Sequence, residues 1–162
     1  MYELIYKKKG NIIMGESIGI CSGYFQCFHE GHKKYINECI NKFDHTIVII
    51  NNDYQQNIKY KDYKKIRKCV EIEYQIQKEF PNVFIIKSID IDESVRETLR
   101  MINLNYKNKN NKLYFCKDAD RNMDNIAEKD VLKELDMEFV QFNNPKENSS
   151  SKIMKENRKE NE

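Results

Sequence analysis

Short apolar runs alternate along this chain with longer segments in which apolar side chains recur every three or four residues. Residues 46–50, with the sequence TIVII, are rich in β-branched side chains. A continuous apolar run of this length is typical of a strand that is buried on both faces of a sheet. Comparable runs predict four more strands, and the expected set is 17–21, 46–50, 83–86, 112–116 and 138–142.

Helical spacing of apolar side chains fills the segments between these strands. One helix is predicted over 32–42, and a longer one over 61–80, where Pro81 would end it. A third begins at Ser94, and Glu97 three residues later completes the pattern of a capping box. Further helices are expected over 129–135 and from Ser149 onward.

This alternation of strands and helices predicts an α/β fold, with a parallel sheet of about five strands and helices on both faces. In such a sheet the ligand site lies beyond the carboxyl ends of the strands. We expect one domain over 17–154, preceded by an extension at 1–16 and followed by a charged tail at 155–162.

Glycine occurs only near the start of the chain, and all five glycines lie at or before Gly31. Later turns and helix ends must therefore use Asn, Asp or ordinary geometry, and Asn is the best substitute where a left-handed conformation is needed. Asparagines stand where the chain is expected to turn, at 51–52, 110–111 and 143–144.

The composition of the chain limits the binding partners and the cellular compartment that we expect. With 162 residues, 40% of them apolar, the chain is long enough for a globular core. The net charge of +2 gives no strong electrostatic case for nucleic acid, and the apolar runs are too short to span a membrane. The five cysteines are odd in number and lack metal-ligand spacing, so we expect reduced thiols in a cytoplasmic protein.

The segment 23–32, GYFQCFHEGH, carries the clearest chemistry. It joins the first predicted strand to the first predicted helix, and it places His29 and His32 on one face of the first helical turn. Imidazoles at the positive end of a helix dipole can donate hydrogen bonds to a phosphate. The structural alternative is a capped helix with two surface histidines. Zinc is not expected, since H-E-x-x-H needs histidines four residues apart.

This segment resembles the G-x-F-x-x-x-H-x-G-H signature of the HxGH nucleotidylyltransferase superfamily. Near the other end, residues 148–153, NSSSKI, resemble the C-terminal signature of the same superfamily. Serines at a helix start offer hydroxyl and N–H groups to phosphate, and a nearby cation adds charge. Taken alone, these serines could be an ordinary helix cap.

The resemblance continues between the two motifs, where it is cytidylyltransferase-like. Lys59 lies in the place of a lysine that reaches the triphosphate, although nearby lysines compete for that place: Lys61, Lys64 and Lys65. Residues 115–121 resemble an F-x-x-G-G-D segment in which Asp118 and Ala119 replace the two glycines. If these positions need positive φ, the replacements strain the loop or crowd a nucleotide. Gln26 replaces a common Asp in the first motif.

The resemblance implies a Rossmann-like fold and nucleotidyl transfer from CTP or ATP to a phosphorylated polyol or sugar, with release of pyrophosphate. It implies catalytic roles for His29, His32, Lys59 and Lys152. It implies nucleotide binding by Gly23, Tyr24, Phe25, Arg67, Asp120, Ser149, Ser150 and Ser151. It further implies Mg²⁺ on the triphosphate, no dedicated protein metal site, and a homodimer. The alternative hypothesis is a nucleotide-binding module of the same fold that has lost turnover and acts as a sensor or interaction protein.

Overall fold

The computed structural model describes residues 16–108 and 110–143. Within this part, ten elements follow one another: β1 (Ser17–Gly23), α1 (Glu30–Lys42), β2 (His45–Ile50), α2 (Asp53–Lys59), α3 (Cys69–Glu79), β3 (Phe84–Lys87), α4 (Arg96–Tyr106), β4 (Lys112–Lys117), α5 (Lys129–Glu134) and β5 (Glu138–Gln141). The predicted helix from Ser149 and the predicted tail at 155–162 lie outside the described residues, as does most of the predicted N-terminal extension.

The five strands form one parallel sheet in the order β3-β2-β1-β4-β5. The predicted parallel sheet is therefore confirmed. The chain runs outward from β1 through β2 to β3, and then crosses back to place β4 on the other side of β1. This reversal makes the carboxyl ends of β1 and β4 the topological switch point, where open α/β sheets bind ligands.

Helices cover both faces of the sheet, as predicted. Alternate strand residues point to opposite faces, so the isoleucines of β1 and β2 divide between two cores. One core joins Ile20 and Ile47 to α4 and α5, and the other joins Val48 and Ile50 to α1 and α3. No helix in the described ranges is long and apolar enough to cross a membrane.

The predicted helix over 61–80 is wrong in its first half. The structure instead has the short helix α2, which is capped reciprocally by Asn52 and Gln55, and α3 begins only at Cys69. Between them residues 60–68 are not helical, and the side-chain amide of Gln26 binds both peptide groups of Arg67, which a helix would use for its own hydrogen bonds. Gln26 Nε2 donates to the Arg67 carbonyl and Arg67 N–H donates to Gln26 Oε1, each at 2.9 Å.

The predicted capping box of α4 is also wrong. Ser94 Oγ accepts from Arg96 N–H at 3.3 Å, but carboxylates from elsewhere in the chain take the neighbouring N–H groups. Asp90 accepts from Glu97 N–H at 2.7 Å and from Thr98 N–H at 3.0 Å, and Glu128 accepts from Val95 N–H at 3.0 Å. Both carboxylates are buried. The start of α4 therefore already holds two anionic caps.

Asparagine is not the left-handed substitute that the missing glycines suggested. Among the described non-glycine residues, positive φ occurs at Phe25 (53°), Phe28 (29°) and Asp136 (51°). Asp136 follows α5, and its N–H donates to the Lys133 carbonyl while the next N–H, of Met137, donates to the Leu132 carbonyl. This is a Schellman ending built on an aspartate.

Candidate functional site

A cleft of about 990 Å³ opens at the carboxyl ends of β1 and β4. Its wall is built from the loop after β1, the start of α1, the end of α2, and segments 91–96 and 117–128. Seven of the residues expected to form the site line it: Gly23, Tyr24, Phe25, His29, His32, Lys59 and Asp120. A cleft of this volume suits a nucleotide-sized ligand.

The two histidines of the first motif form a reciprocal cap at the start of α1. His29 is the N-cap, and its Nδ1 accepts from Gly31 N–H at 3.1 Å, while His32 Nδ1 accepts from His29 N–H at 3.2 Å. The rings stack with centroids 3.8 Å apart and planes 19° apart. Because each Nδ1 is an acceptor here, the neutral form of each ring carries its proton on Nε2 and can donate from that atom.

The loop that leads to these histidines is tightly packed. Phe25 is buried and meets the His32 ring edge-on at 5.0 Å. A Cβ at Gly23 would lie 3.1 Å from the Phe25 ring, so glycine allows this close approach. Phe25 and Phe28 both adopt positive φ, which a bulky side chain holds only when the surroundings enforce it. The loop therefore holds the imidazoles in a fixed position.

Lys59, at the end of α2, belongs to an aromatic group on one side of the cleft. Its Nζ lies 4.0 Å from the centroid of Tyr24 and 5.5 Å from that of Tyr60. The two tyrosines contact each other edge to face at 5.9 Å. Partial burial raises the pKa of Tyr24, and the nearby carboxylates of Glu93, Glu128 and Asp92 raise it further. Lys61, Lys64 and Lys65 do not line the cleft.

Arg67 is placed away from the cleft wall. It is exposed, its guanidinium donates to the Gln75 side chain, and its peptide groups bind Gln26. The other predicted residues of the second motif, Ser149, Ser150, Ser151 and Lys152, lie outside the described residues.

The strain expected at Asp118 and Ala119 is absent, because neither residue has positive φ. Asp118 instead begins a turn in which its carbonyl accepts from Arg121 N–H at 3.0 Å, and the Ala119 carbonyl accepts from Gln141 Nε2 at 2.8 Å. The loss of the two glycines therefore leaves ordinary backbone geometry. Asp118 does add a carboxylate to the cleft wall.

Lys117 is a cleft residue to which sequence analysis gave no role. It ends β4, and its Nζ donates to Ser22 Oγ at 2.7 Å and to the Ser22 carbonyl at 3.2 Å. Burial lowers the pKa of Lys117 by desolvating its ammonium group. Its position in the sequence could have indicated a role, because Lys117 directly follows the predicted strand over 112–116 and so lies at the carboxyl edge of the sheet.

A protein-built metal site is not found in the described ranges, where no group of three or more His, Cys, Asp or Glu side chains could hold a metal ion. The cleft wall does carry the carboxylates of Asp118 and Asp120. Mg²⁺ is commonly held by one or two carboxylates together with substrate phosphates. The two cleft carboxylates fit this kind of shared site and not a site built by protein side chains only.

Comparison with known proteins identifies a sequence family that matches this chain. The sequence model of the family described as Cytidylyltransferase-like matches residues 20–157. A comparison with curated protein sequences finds no match.

Similar folds occur among solved structures. A bifunctional NMN adenylyltransferase/ADP ribose pyrophosphatase from Francisella tularensis has a TM-score of 0.66 at 15% identity, over 87% of this chain and 42% of that one. A lipopolysaccharide core biosynthesis protein from Thermoplasma volcanium GSS1 has a TM-score of 0.58 at 14% identity, over 81% of this chain and 99% of that one. This chain thus spans less than half of the Francisella protein. At these identities the likeness concerns the fold.

The family match covers most of the chain, and it includes the loop, the histidine pair and the switch-point cleft. The chain belongs to the cytidylyltransferase-like family.

Proposed function

We propose that this protein transfers a nucleoside monophosphate from CTP or ATP to a phosphorylated polyol or sugar and releases pyrophosphate. The observation that carries the proposal is the stacked pair His29 and His32, which lines the switch-point cleft at the start of α1. The Francisella neighbour, whose structure was also determined with AMP and a manganese ion, lends support to a nucleotide in this cleft.

The reaction is an in-line displacement at phosphorus. A phosphate oxygen of the acceptor forms a bond to the α-phosphorus, and the bond from that phosphorus to the bridging oxygen breaks. Pyrophosphate leaves with the electron pair. The Nε2–H groups of His29 and His32 donate hydrogen bonds to the phosphoryl oxygens as negative charge grows there. Catalysis then rests on positioning and charge stabilisation, and no covalent intermediate with the protein is needed.

Cations of this chain complete the phosphate site in the proposal. Lys59 stays on the wall beside Tyr24 and neutralises the outer phosphates together with Lys152, and the serines 149–151 add hydroxyl donors. Gly23, Phe25 and Asp120 shape the nucleotide side of the cleft. Mg²⁺, when bound, supplies further neutralisation of the triphosphate. Arg67 is not part of the proposal, because it lies away from the cleft wall.

The alternative of a module without turnover depended on the replaced glycines at 118 and 119, and their unstrained backbone gives it no support. Turnover can be tested directly. We expect pyrophosphate release when CTP or ATP is supplied with a panel of phosphorylated polyols and sugars, and none with the unphosphorylated counterparts.

A thermal-shift screen separates binding from turnover. A nucleotide present at 100 times its Kd should stabilise the fold by about 2.7 kcal/mol. Stabilisation by CTP or ATP, with no pyrophosphate release in the presence of any acceptor, would favour the binding module. Absence of stabilisation by either nucleotide would overturn the proposed function.

A further inference from the structure

Beyond the histidines, the ends of β1 and β4 contain an arrangement that the proposed reaction has not yet used. The residue pairing between these strands ends at Cys21 and Cys116. Just beyond it, the Tyr35 hydroxyl accepts from Ser22 N–H at 3.1 Å and donates to the Cys116 carbonyl. The two strands are thus bridged at this point by a side chain of α1 as well as by each other.

The ammonium group of Lys117 lies at the same junction. Its hydrogen bonds to Ser22 Oγ and to the Ser22 carbonyl use two of its three protons and fix its position. Both acceptors are neutral, and no carboxylate of the described residues lies within ion-pair distance of Nζ. A protonated Lys117 is therefore held in a desolvated place by two neutral acceptors and by the Phe115 ring, whose centroid lies 5.3 Å from Nζ, while the more distant carboxylates of Glu128 and Asp120 favour its charge.

This charge faces the cleft that contains the histidines. The Ser22 hydroxyl and carbonyl are neutral acceptors, so a neutral donor would be enough to make these two hydrogen bonds. A fixed cation with a remaining proton is, in contrast, what a phosphate oxygen requires, since hydrogen bonds between charged groups are stronger than neutral ones.

We propose that Lys117 binds the phosphate oxygens of the nucleotide, as a cation fixed in place by Ser22 at the end of β4. The proposal rests on the proposed function, because it assigns Lys117 to the nucleotide of that reaction. It adds a phosphate contact from the central sheet to those from the start of α1.

Calorimetric titration with CTP and ATP in the presence of Mg²⁺ tests this assignment without knowledge of the acceptor. Lys117→Met should weaken binding of the cognate nucleotide by about 10- to 100-fold, the scale for loss of one hydrogen bond to a charged group. Lys87→Met is the matched control. Lys87 also ends a strand and is exposed, but it pairs with Glu73 at 3.4 Å and does not line the cleft. The affinity of the Lys87→Met variant for the nucleotide should stay within about twofold of wild type.

A second variant separates charge from structure. Lys117→Gln keeps a donor for Ser22 but lacks the charge, so it should lose affinity to a similar degree and should also lose part of the salt dependence of binding. If Lys117→Met does not fold, this variant carries the test. An affinity of Lys117→Gln equal to that of the Lys87 control would overturn the proposal.

Two further ligands locate the contact. An equal loss with CMP and CTP would assign Lys117 to the α-phosphate, and a loss with CTP and pyrophosphate but not CMP would assign it to the outer phosphates. Either result supports the proposal. Wild-type protein that binds neither CTP nor ATP would refute the proposed function, whereas tight binding by both wild type and Lys117→Met would refute only the role of Lys117.

Discussion

Gln26 ties three segments together, and its removal offers a sharp test of how the site is held. Its side chain is buried and makes two hydrogen bonds to the peptide groups of Arg67 and a third to Gln56 Oε1, all at 2.9 Å. Gln56 in turn donates to the carbonyls of Tyr24 and Asn51, at 2.8 and 3.0 Å. The loop after β1, the end of β2 and the approach to α3 are therefore joined through two glutamines.

Gln26→Leu keeps the size of the side chain and removes all three bonds. At about 1 kcal/mol for each bond, the free energy of unfolding should fall by about 3 kcal/mol. For a chain of this length such a loss lowers Tm by roughly 6–12 °C. Gln56 Oε1 is fully buried and cannot turn to water for a replacement donor, which favours the upper part of this range.

Urea unfolding followed by circular dichroism measures the change, with Gln75→Leu as the matched control. Gln75 is partly exposed and makes a side-chain bond to Arg67, so its replacement should change stability by about 0.5 kcal/mol or less. If Gln26→Leu proves no less stable than Gln75→Leu, the idea that the buried amides organise these loops is wrong.

Gln26→Glu adds a test by pH. The new carboxyl would face two acceptors, Gln56 Oε1 and the Arg67 carbonyl, and could donate to one of them only when protonated. Its pKa in the folded state should therefore rise above the unfolded value of about 4.3. The stability from this bond is present below that unfolded value and is lost as pH rises through the raised pKa. The variant should thus be more stable, relative to wild type, at pH 4 than at pH 7.

Three other outcomes are expected. His29→Ala should lower kcat for pyrophosphate release by about 10²–10³-fold, and near wild-type turnover in a folded variant would leave His29 as a helix cap only. Asp118→Gly with Ala119→Gly should destabilise the fold by about 1–2 kcal/mol in urea, since no strain is relieved and the unfolded chain gains freedom. Loss of the Asp118 carboxylate is the one change in this variant expected to raise CTP affinity, so any gain should vanish at high salt. A gain that persists at high salt would mean that the loop is strained in the wild-type protein. A homodimer is predicted at micromolar concentration, and a monomer mass by light scattering would refute it.

The sheet could be predicted from sequence because its signal is apolar. The two central strands β1 and β2 are buried on both faces, and a continuous apolar run such as 46–50 is typical of such a strand. The same logic failed at α2, whose buried residues are Gln55 and Gln56. A helix that buries amides leaves no apolar periodicity, and only its cap at Asn52 signals its start.

The candidate site was partly predictable for a similar reason. The histidines of the first motif are neighbours in the chain, so local spacing brings them together. Lys117 meets Ser22 across 95 positions, and the caps of α4 come from Asp90 and from Glu128, beyond the helix. The Lys117–Ser22 contact and the Glu128 cap are set by long-range packing of the strands and helices, which the spacing of residues along the chain does not encode.

The two helices that begin at the cleft differ in what closes their first turn. Imidazoles close α1, whereas α4 begins against the buried carboxylates of Asp90 and Glu128. Because two carboxylates already occupy N–H groups at the start of α4, this helix end is less favourable for a further anion than the start of α1. We therefore expect a substrate with a charged end and a neutral end to bind with its phosphates toward α1 and its uncharged portion toward α4. The groups that close the two helix starts would then set the orientation of the ligand before any contact to its uncharged portion forms.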